Sequence, residues 1–156
     1  MGFYLLISIF HLADVCIDFC IRDFATMVSS LVELHSVFIS IDKIEGASNE
    51  IYGEIKVEDS AGRVFEIYKE EKNNAKSVLA DGILPLTGPS ECIINPLNFV
   101  IGVSLKEKYL DLEVSNGYLC LLPNISDSWF DKPVSVVIQG DHGYAVLHLS
   151  LFNLAL

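Results

Sequence analysis

The chain has 156 residues, of which 51% are hydrophobic and 20% charged, and its formal net charge is −11. A chain of this length and hydrophobicity is expected to fold as one domain with a substantial core, which excludes an intrinsically disordered segment. The strong negative charge repels phosphate backbones, so it argues against nucleic acid as a partner.

Residues 1–30 form an apolar N-terminal extension that differs in pattern from the rest of the chain. His11 and Asp14 interrupt it well short of the ~20 apolar residues that a membrane-spanning helix requires, so no transmembrane segment is predicted. It also lacks the basic start and the small-residue cleavage site of a secretory signal peptide, which favours a cytoplasmic location over secretion. The sequence therefore predicts an extension at 1–30 and a folded domain at 31–156.

From Leu31 onwards, the sequence has the two-residue hydrophobic alternation of β-strands. A phase change near Ser36 and Val37 predicts a β-bulge in the first strand. Apolar and polar residues then alternate from Ile51 to Glu58, as expected of a half-buried antiparallel strand. The segment Asp59–Gly62 has turn composition, because Asp bonds nearby backbone N–H groups and glycine accepts a positive φ.

Two further features of the central strands predict local structure, one at Gly53 and one at residues 97–105. Gly53 lies in the middle of a strand pattern, which indicates a bulge or a close backbone approach. Residues 97–105 alternate most regularly: Phe99 and Ile101 are predicted to face the core, while Asn98, Gly102 and Ser104 face outward.

The second half of the chain predicts three more pieces of β-structure. A short strand is expected at Ile83–Leu86, and Leu110 is expected to face inward on a strand that ends at Asn116-Gly117, the strongest short hairpin signal. A last hairpin is expected around Gly140–Gly143. Turn signals at intervals of about eight to twelve residues predict an all-β fold, an antiparallel two-sheet β-sandwich of about seven to ten strands.

Motifs of common enzyme families are missing from the sequence, including nucleophile elbows, zinc-protease helices and phosphate-binding loops. Ser90, His142 and Asp141 could be combined into a catalytic triad, but the surroundings of His142 are typical of a hairpin turn. His35 and His148 are predicted to face solvent on strands. We therefore predict that the protein is not an enzyme and has no catalytic residues and no cofactor.

Neither the cysteines nor the aspartates have the spacing of a metal site. The four cysteines, Cys16, Cys20, Cys92 and Cys120, are interpreted as buried thiols. Clustered loop aspartates bind calcium in some β-sandwiches, but here the candidates are scattered: Asp59, Asp81, Asp111, Asp127, Asp131 and Asp141. The sequence predicts no metal site.

The candidate binding surface is the loop that carries the single tryptophan. Trp129 and Phe130 lie between Asp127 and Asp131, and together they could form an exposed aromatic platform for a protein or a sugar. Packing of the same loop against a sheet edge is the competing interpretation.

Five short motifs occur in this order along the chain: Leu31–Leu34, Ile51–Ile55 with Asp59 and Gly62, Leu86–Ser90, Asp131–Pro133 and Gly143–Val146. Together they resemble the motifs of a plant domain of unknown function that is abundant in grasses. The resemblance covers residues 31–156. Members of that family stand alone or are fused to ribosome-inactivating rRNA N-glycosylase domains, so the resemblance implies a β-sandwich accessory module.

The glycosylase activity itself is not implied. It depends on a Glu-x-x-Arg pair on a helix, and neither Arg22 nor Arg63 has a glutamate three residues before it. The leading hypothesis is a non-catalytic interaction module that binds a protein, within a plant stress- or defence-related protein. The alternatives are a calcium-assisted membrane- or glycan-binding sandwich, and a hydrolase with an unrecognised site.

Overall fold

The computed structural model describes residues 29–79, 82–94, 99–121 and 132–154. Within these ranges the chain forms nine strands: β1 (Ser29–Ile41), β2 (Glu50–Asp59), β3 (Val64–Glu70), β4 (Lys76–Ser77), β5 (Glu91–Ile94), β6 (Phe99–Glu107), β7 (Glu113–Leu121), β8 (Pro133–Gln139) and β9 (Gly143–Leu154). Within the same ranges, helical structure is limited to a 3₁₀ turn at Lys72–Asn74. The prediction of an all-β fold is confirmed.

The strands form two antiparallel sheets that pack together. One sheet has the order β5-β1-β9-β8, and the other has the order β3-β2-β6-β7, with β4 paired to β2. Apolar residues from both sheets form a single core between them. The predicted antiparallel two-sheet sandwich is therefore confirmed, and the nine strands of the described ranges fall within the predicted number.

The core follows the two-residue alternation of the central strands. Phe99 and Ile101 of β6 are buried as predicted, and Leu147 and Leu149 of β9 are buried from the opposite sheet. Burying each such side chain stabilises the fold by about 1.5–3 kcal/mol, which makes this alternation the main determinant of strand orientation.

Two irregularities change the face that neighbouring residues occupy. The predicted bulge in β1 is present, and the register with β9 shifts between Leu34 and Ser36. A second shift between β2 and β3 leaves both Ile67 and Tyr68 buried. The Tyr68 hydroxyl donates a hydrogen bond of 2.7 Å to the carbonyl of Ile51, so this polar group has a hydrogen-bond partner inside the core.

A covering segment, residues 82–90, closes one side of the sandwich. Leu84 N–H donates to the carbonyl of Val37 in β1, and Gly88 N–H donates to the carbonyl of Ile67 in β3, each over 2.9 Å. The covering segment therefore connects both sheets through backbone hydrogen bonds, and it gives partners to backbone groups along that side.

Two local predictions are wrong. Ile83–Leu86 does not form a strand, because it makes only an isolated bridge to Phe38. Asn116-Gly117 lies inside β7, paired with β6, and does not form a hairpin turn. The chain reverses earlier, between the end of β6 at Glu107 and the start of β7 at Glu113.

Gly53 makes the close backbone approach that its position in the strand predicts. Its φ is +120°, and a Cβ atom there would lie 2.1 Å from the carbonyl oxygen of Ser104. Strands β2 and β6 can therefore pair at this point only with glycine.

The β2–β3 turn is organised by the Asp59 carboxylate. Its Oδ1 accepts hydrogen bonds from the N–H groups of Ala61 and Arg63, and its Oδ2 lies 2.6 Å from the Arg63 guanidinium. Gly62 completes the turn with a φ of +76°. Both residues act as the sequence predicts.

Replacing Gly62 by alanine is expected to lower the free energy of unfolding by about 1–2 kcal/mol, because left-handed backbone is costly for residues with a Cβ atom. No heavy atom lies within 4 Å of the new Cβ, so the effect isolates backbone conformation from packing. Urea unfolding measures it, and Gly62→Asn, which tolerates this conformation better, should lose less. Equal stability of Gly62→Ala and wild type would contradict the turn geometry.

Residues 1–28 lie outside the described ranges, so the proposed role of the N-terminal extension stays a prediction. Ser29 and Ser30 already belong to β1, which begins two residues before the predicted boundary at residue 31. None of the described residues forms a helix long and apolar enough to cross a membrane.

Candidate functional site

The candidate binding surface predicted from the sequence lies outside the described residues. Asp127, Trp129, Phe130 and Asp131 fall between β7 and β8, in the part of the chain that is not described. Their role as a binding surface stays a prediction.

The loop aspartates that the structure describes are not gathered into one site. Asp59 bonds Arg63 in the β2–β3 turn, whereas Asp111 bonds Lys72 beyond the end of β6. Throughout the described ranges, no three His, Cys, Asp or Glu side chains are grouped so that they could hold a metal ion. Asp81 lies outside those ranges.

The triad that could be written from Ser90, His142 and Asp141 is not assembled. The carbonyl of Ser90 accepts a hydrogen bond from Leu34, whereas the carbonyl of His142 accepts one from Asp42. Leu34 lies near the middle of β1 and Asp42 just beyond its end, so the two contacts are roughly 20 Å or more apart along the strand. His142 lies in the β8–β9 turn, as its sequence context predicts.

A different serine–histidine contact lies on the outer face of the four-stranded sheet. His35 Nε2 is 2.7 Å from Ser150 Oγ, and His35 Nδ1 is 3.6 Å from the carboxylate of Glu33. The order of carboxylate, imidazole and hydroxyl resembles a catalytic triad. Nearby, His148 Nδ1 is 2.8 Å from Ser135 Oγ, so each of the two histidines has a serine partner. Both histidines face outward from the sheet, as predicted.

The surroundings of Ser150 do not favour nucleophilic catalysis. Ser150 is only 5% exposed, beneath the exposed ring of His35, which restricts access to its hydroxyl. Strand β9 is paired on both sides, with β1 and β8. Its backbone N–H groups therefore form the hydrogen bonds of the sheet and are not positioned to stabilise an oxyanion. We interpret the Ser150–His35 bond as a cross-strand contact.

The most strongly organised polar site is the turn between β6 and β7, residues 108–112, which we call the display turn. The carboxylate of Glu107 anchors it and is completely buried. Glu107 Oε1 accepts hydrogen bonds from Ser48 Oγ (2.6 Å), Ser48 N–H (3.0 Å) and Tyr109 N–H (2.8 Å), and its Oε2 accepts one from Leu110 N–H (2.7 Å).

These four hydrogen bonds stabilise the charged form of Glu107. Burial alone would raise the pKa of the carboxyl group, but the bonds from Ser48, Tyr109 and Leu110 outweigh it and lower the pKa to about 2. The carboxylate therefore stays ionised at neutral pH, and it joins the display turn to the loop at residues 42–49.

Asp111 fixes the far side of the display turn. It is the one non-glycine residue in the described ranges with a positive φ, at 56°. Its carboxylate accepts hydrogen bonds from Lys72 Nζ (2.7 Å) and from the Tyr52 hydroxyl, and these bonds, with Lys72 the stronger, lower its pKa. Burial and the contact with Asp111 raise the pKa of Tyr52 to about 12, so its hydroxyl remains a donor.

The display turn presents two large side chains to solvent. Tyr109 is 63% exposed and Leu110 is 45% exposed, so the prediction that Leu110 faces inward is wrong. Lys108 Nζ lies 5.6 Å from the centre of the Tyr109 ring, close enough for a cation–π contact. Next to the turn, the loop at residues 42–49 surrounds an open depression of about 550 Å³.

Sequence reasoning missed the role of Glu107, although a signal was present. Phe99, Ile101, Val103 and Leu105 occupy the inward positions of β6, and Glu107 is the next position in that series. A charged residue at an inward strand position predicts a buried carboxylate with dedicated donors. Tyr109 gives no comparable signal, because its exposure depends on where the chain turns.

Comparison with known proteins gives a family but no activity. The family model described as Domain of unknown function (DUF6598) matches residues 31–156. No curated protein matches the sequence. Among solved structures, a chain of "Crystal structure of Cry23Aa1 and Cry37Aa1 binary protein complex" is similar, with a TM-score of 0.44 and 18% identity, covering 81% of this chain and 98% of that chain. From the family match, the chain belongs to the DUF6598 family of domains of unknown function.

Proposed function

We propose that the protein is a non-catalytic accessory module that binds a protein partner through the display turn. The observation that carries this proposal is the anchoring of the turn by buried Glu107, with Tyr109 and Leu110 held exposed at its tip. A backbone segment that is already fixed loses little conformational entropy on binding, and tyrosine is enriched among the residues that dominate interface energies.

The rigidity of the turn supports a binding role over a purely structural one. A hairpin can reverse direction without a buried charge, whereas here the turn uses a carboxylate with four donors and a left-handed Asp111. Unusual backbone conformations and buried charges are found preferentially at functional sites. The absence of enzymatic activity is part of the proposal, and the buried position of Ser150 supports it.

The biological setting is also a proposal. The sequence motifs resemble a plant domain found alone or beside rRNA N-glycosylase domains, which supports a role in a plant stress- or defence-related protein. The net charge of −11 disfavours nucleic acid as the partner. A calcium-assisted membrane- or glycan-binding role is the alternative, and the experiment below includes an arm that separates it.

The test is a quantitative pull-down from plant extract with immobilised wild-type protein and two variants. Tyr109→Ala/Leu110→Ala removes both exposed side chains, and Val64→Ala removes an exposed apolar side chain at the start of β3. We expect a defined set of proteins to bind wild type and Val64→Ala equally, and to bind the display-turn variant at least about tenfold less.

Each binding reaction is run with calcium and with a chelator, and thermal unfolding checks that all three proteins are folded. Equal capture by the display-turn variant and wild type would refute the proposal. Capture that requires calcium and is unaffected by the display-turn substitutions would favour the alternative.

A further inference from the structure

A second exposed aromatic ring lies on the outer face of the five-stranded sheet, away from the display turn. Tyr118 of β7 is 60% exposed. In the sheet it pairs with Gly102, which lies in the middle of β6. Two ring atoms of Tyr118, Cδ1 and Cε1, lie 3.2–3.3 Å from the place that a Cβ atom of Gly102 would occupy. The ring therefore leans across β6 and covers the backbone of Gly102, which is buried beneath it.

Polar side chains lie next to the ring in a regular arrangement. The strand register places Lys56, Gly102 and Tyr118 in one row across the sheet. The neighbouring row has the same three strands and contains Glu54, Ser104 and Asn116. We call these six residues the Tyr118 face. Its polar members offer an amine, a carboxylate, a hydroxyl and an amide on one side of the ring.

Carboxylates outnumber the one cation at the Tyr118 face, as they outnumber cations in the whole protein. Lys56 Nζ lies 3.1 Å from the Glu54 carboxylate, and the Glu113 carboxylate accepts a hydrogen bond of 2.9 Å from Asn116 Nδ2. The formal net charge of the chain is −11. A polyanionic ligand would therefore be repelled both by the face and by the molecule as a whole, whereas a neutral polar ligand would not be repelled.

We propose that the Tyr118 face binds a neutral oligosaccharide. The apolar C–H side of a sugar ring packs against the exposed surface of the Tyr118 ring, and the sugar hydroxyls exchange hydrogen bonds with the carboxylate, hydroxyl and amide beside it. Exposure of Ser104 and Asn116 leaves both within reach of such a ligand. The open face of a sheet suits an extended chain of sugars rather than a small buried ligand.

Covering Gly102 accounts for the position of Tyr118 on the sheet. An aromatic ring beside a strand glycine protects the backbone and stabilises the strand pair. The other side of the ring remains exposed to solvent. The remaining exposed surface is what the proposed ligand uses, and the two roles predict different behaviour of variants.

The test is a titration of isotope-labelled protein, followed by NMR, with four separate probes: cello-, xylo-, manno- and chito-oligosaccharides. We expect at least one probe to shift the backbone resonances of Gly102, Ser104 and Tyr118. Tyr118→Ala should weaken binding of that probe by about tenfold or more, whereas Tyr118→Phe, which keeps the ring, should remain within about threefold of wild type.

The control Val64→Ala changes an exposed residue of the same sheet and should bind as wild type does. If Tyr118→Ala does not fold, Asn116→Ala is the second variant, and it should weaken the same probe without changing the fold. Binding of no probe, shifts located elsewhere on the wild-type protein, or equal binding by Tyr118→Ala would each overturn the proposal. None of these results bears on the display turn, so the two proposals fail independently.

Discussion

Replacing Phe99 by alanine is expected to lower the free energy of unfolding by about 3–5 kcal/mol, because it removes a buried ring and leaves a cavity. Phe99 is 4% exposed and opens β6, which is paired on both sides within its sheet. A domain of this size has roughly 5–15 kcal/mol of total stability, so the variant should be largely unfolded or have a much lower urea midpoint. Equilibrium unfolding followed by circular dichroism measures the difference.

The matched control is Ser104→Ala on the same strand. Ser104 faces outward and is exposed, so its loss should change stability by roughly 0.5 kcal/mol or less. Asn98, the outward neighbour that the sequence suggests as a control, lies outside the described residues. Because a shift of one residue exchanges the two faces of a strand, equal effects of the two substitutions would refute the strand register.

Replacing Glu107 by glutamine is expected to lower the free energy of unfolding at neutral pH by about 2–4 kcal/mol. The glutamine amide would place its own N–H donors against backbone N–H groups that now donate to the carboxylate. The display turn should lose its fixed conformation at the same time, so exchange of the Tyr109 and Leu110 amide hydrogens should become faster. Unchanged exchange at these amides would contradict the anchoring role of Glu107.

The same residue predicts a pH dependence. Its pKa in the folded protein, about 2, lies below the ordinary value of 4.5. The unfolded chain therefore takes up the proton first, so the stabilisation is complete at neutral pH and is lost as the pH falls towards 2. Between roughly pH 6 and pH 3, wild type should lose about 2 kcal/mol more stability than Glu107→Gln.

An exposed carboxylate separates this effect from the general response of an acidic protein to acid. Glu45→Gln makes the same chemical change in the neighbouring loop, where Glu45 is exposed. Its stability should follow the wild-type pH dependence. Parallel curves for wild type and Glu107→Gln would show that another group is responsible for the loss in acid.

The parts of the fold that could be predicted from sequence depend on local patterns. Ile55 and Ile101 lie in alternating segments whose apolar face must be buried, so strand position and orientation follow from the residue order. The Asp59–Gly62 turn was predictable for a similar reason, because its conformation depends on its own residues. The two-sheet architecture follows from the number and spacing of such segments.

The errors lie where a distant contact overrides the local preference. Asn116-Gly117 has the composition of a hairpin turn, but its residues pair with Ser104 and Val103 inside the sheet. The chain turns at residues 108–112, where Glu107 and Ser48 fix the backbone across a separation of 59 residues. No sequence window contains both partners, so the location of the turn and the exposure of Leu110 could not be derived from local patterns.

Strands β1 and β9 pair from Ser29 with Leu154 to Ile41 with Gly143, so the earliest and latest described segments of the chain are neighbours. During synthesis, the backbone of β1 has no long hydrogen-bonding partner until β9 has been made, because β5 pairs with only four of its residues. All-β domains with such distant pairings fold in milliseconds to seconds, rather than microseconds. A nascent chain would therefore leave the backbone edges of a long strand unpaired for most of its translation, and unpaired strand edges promote aggregation.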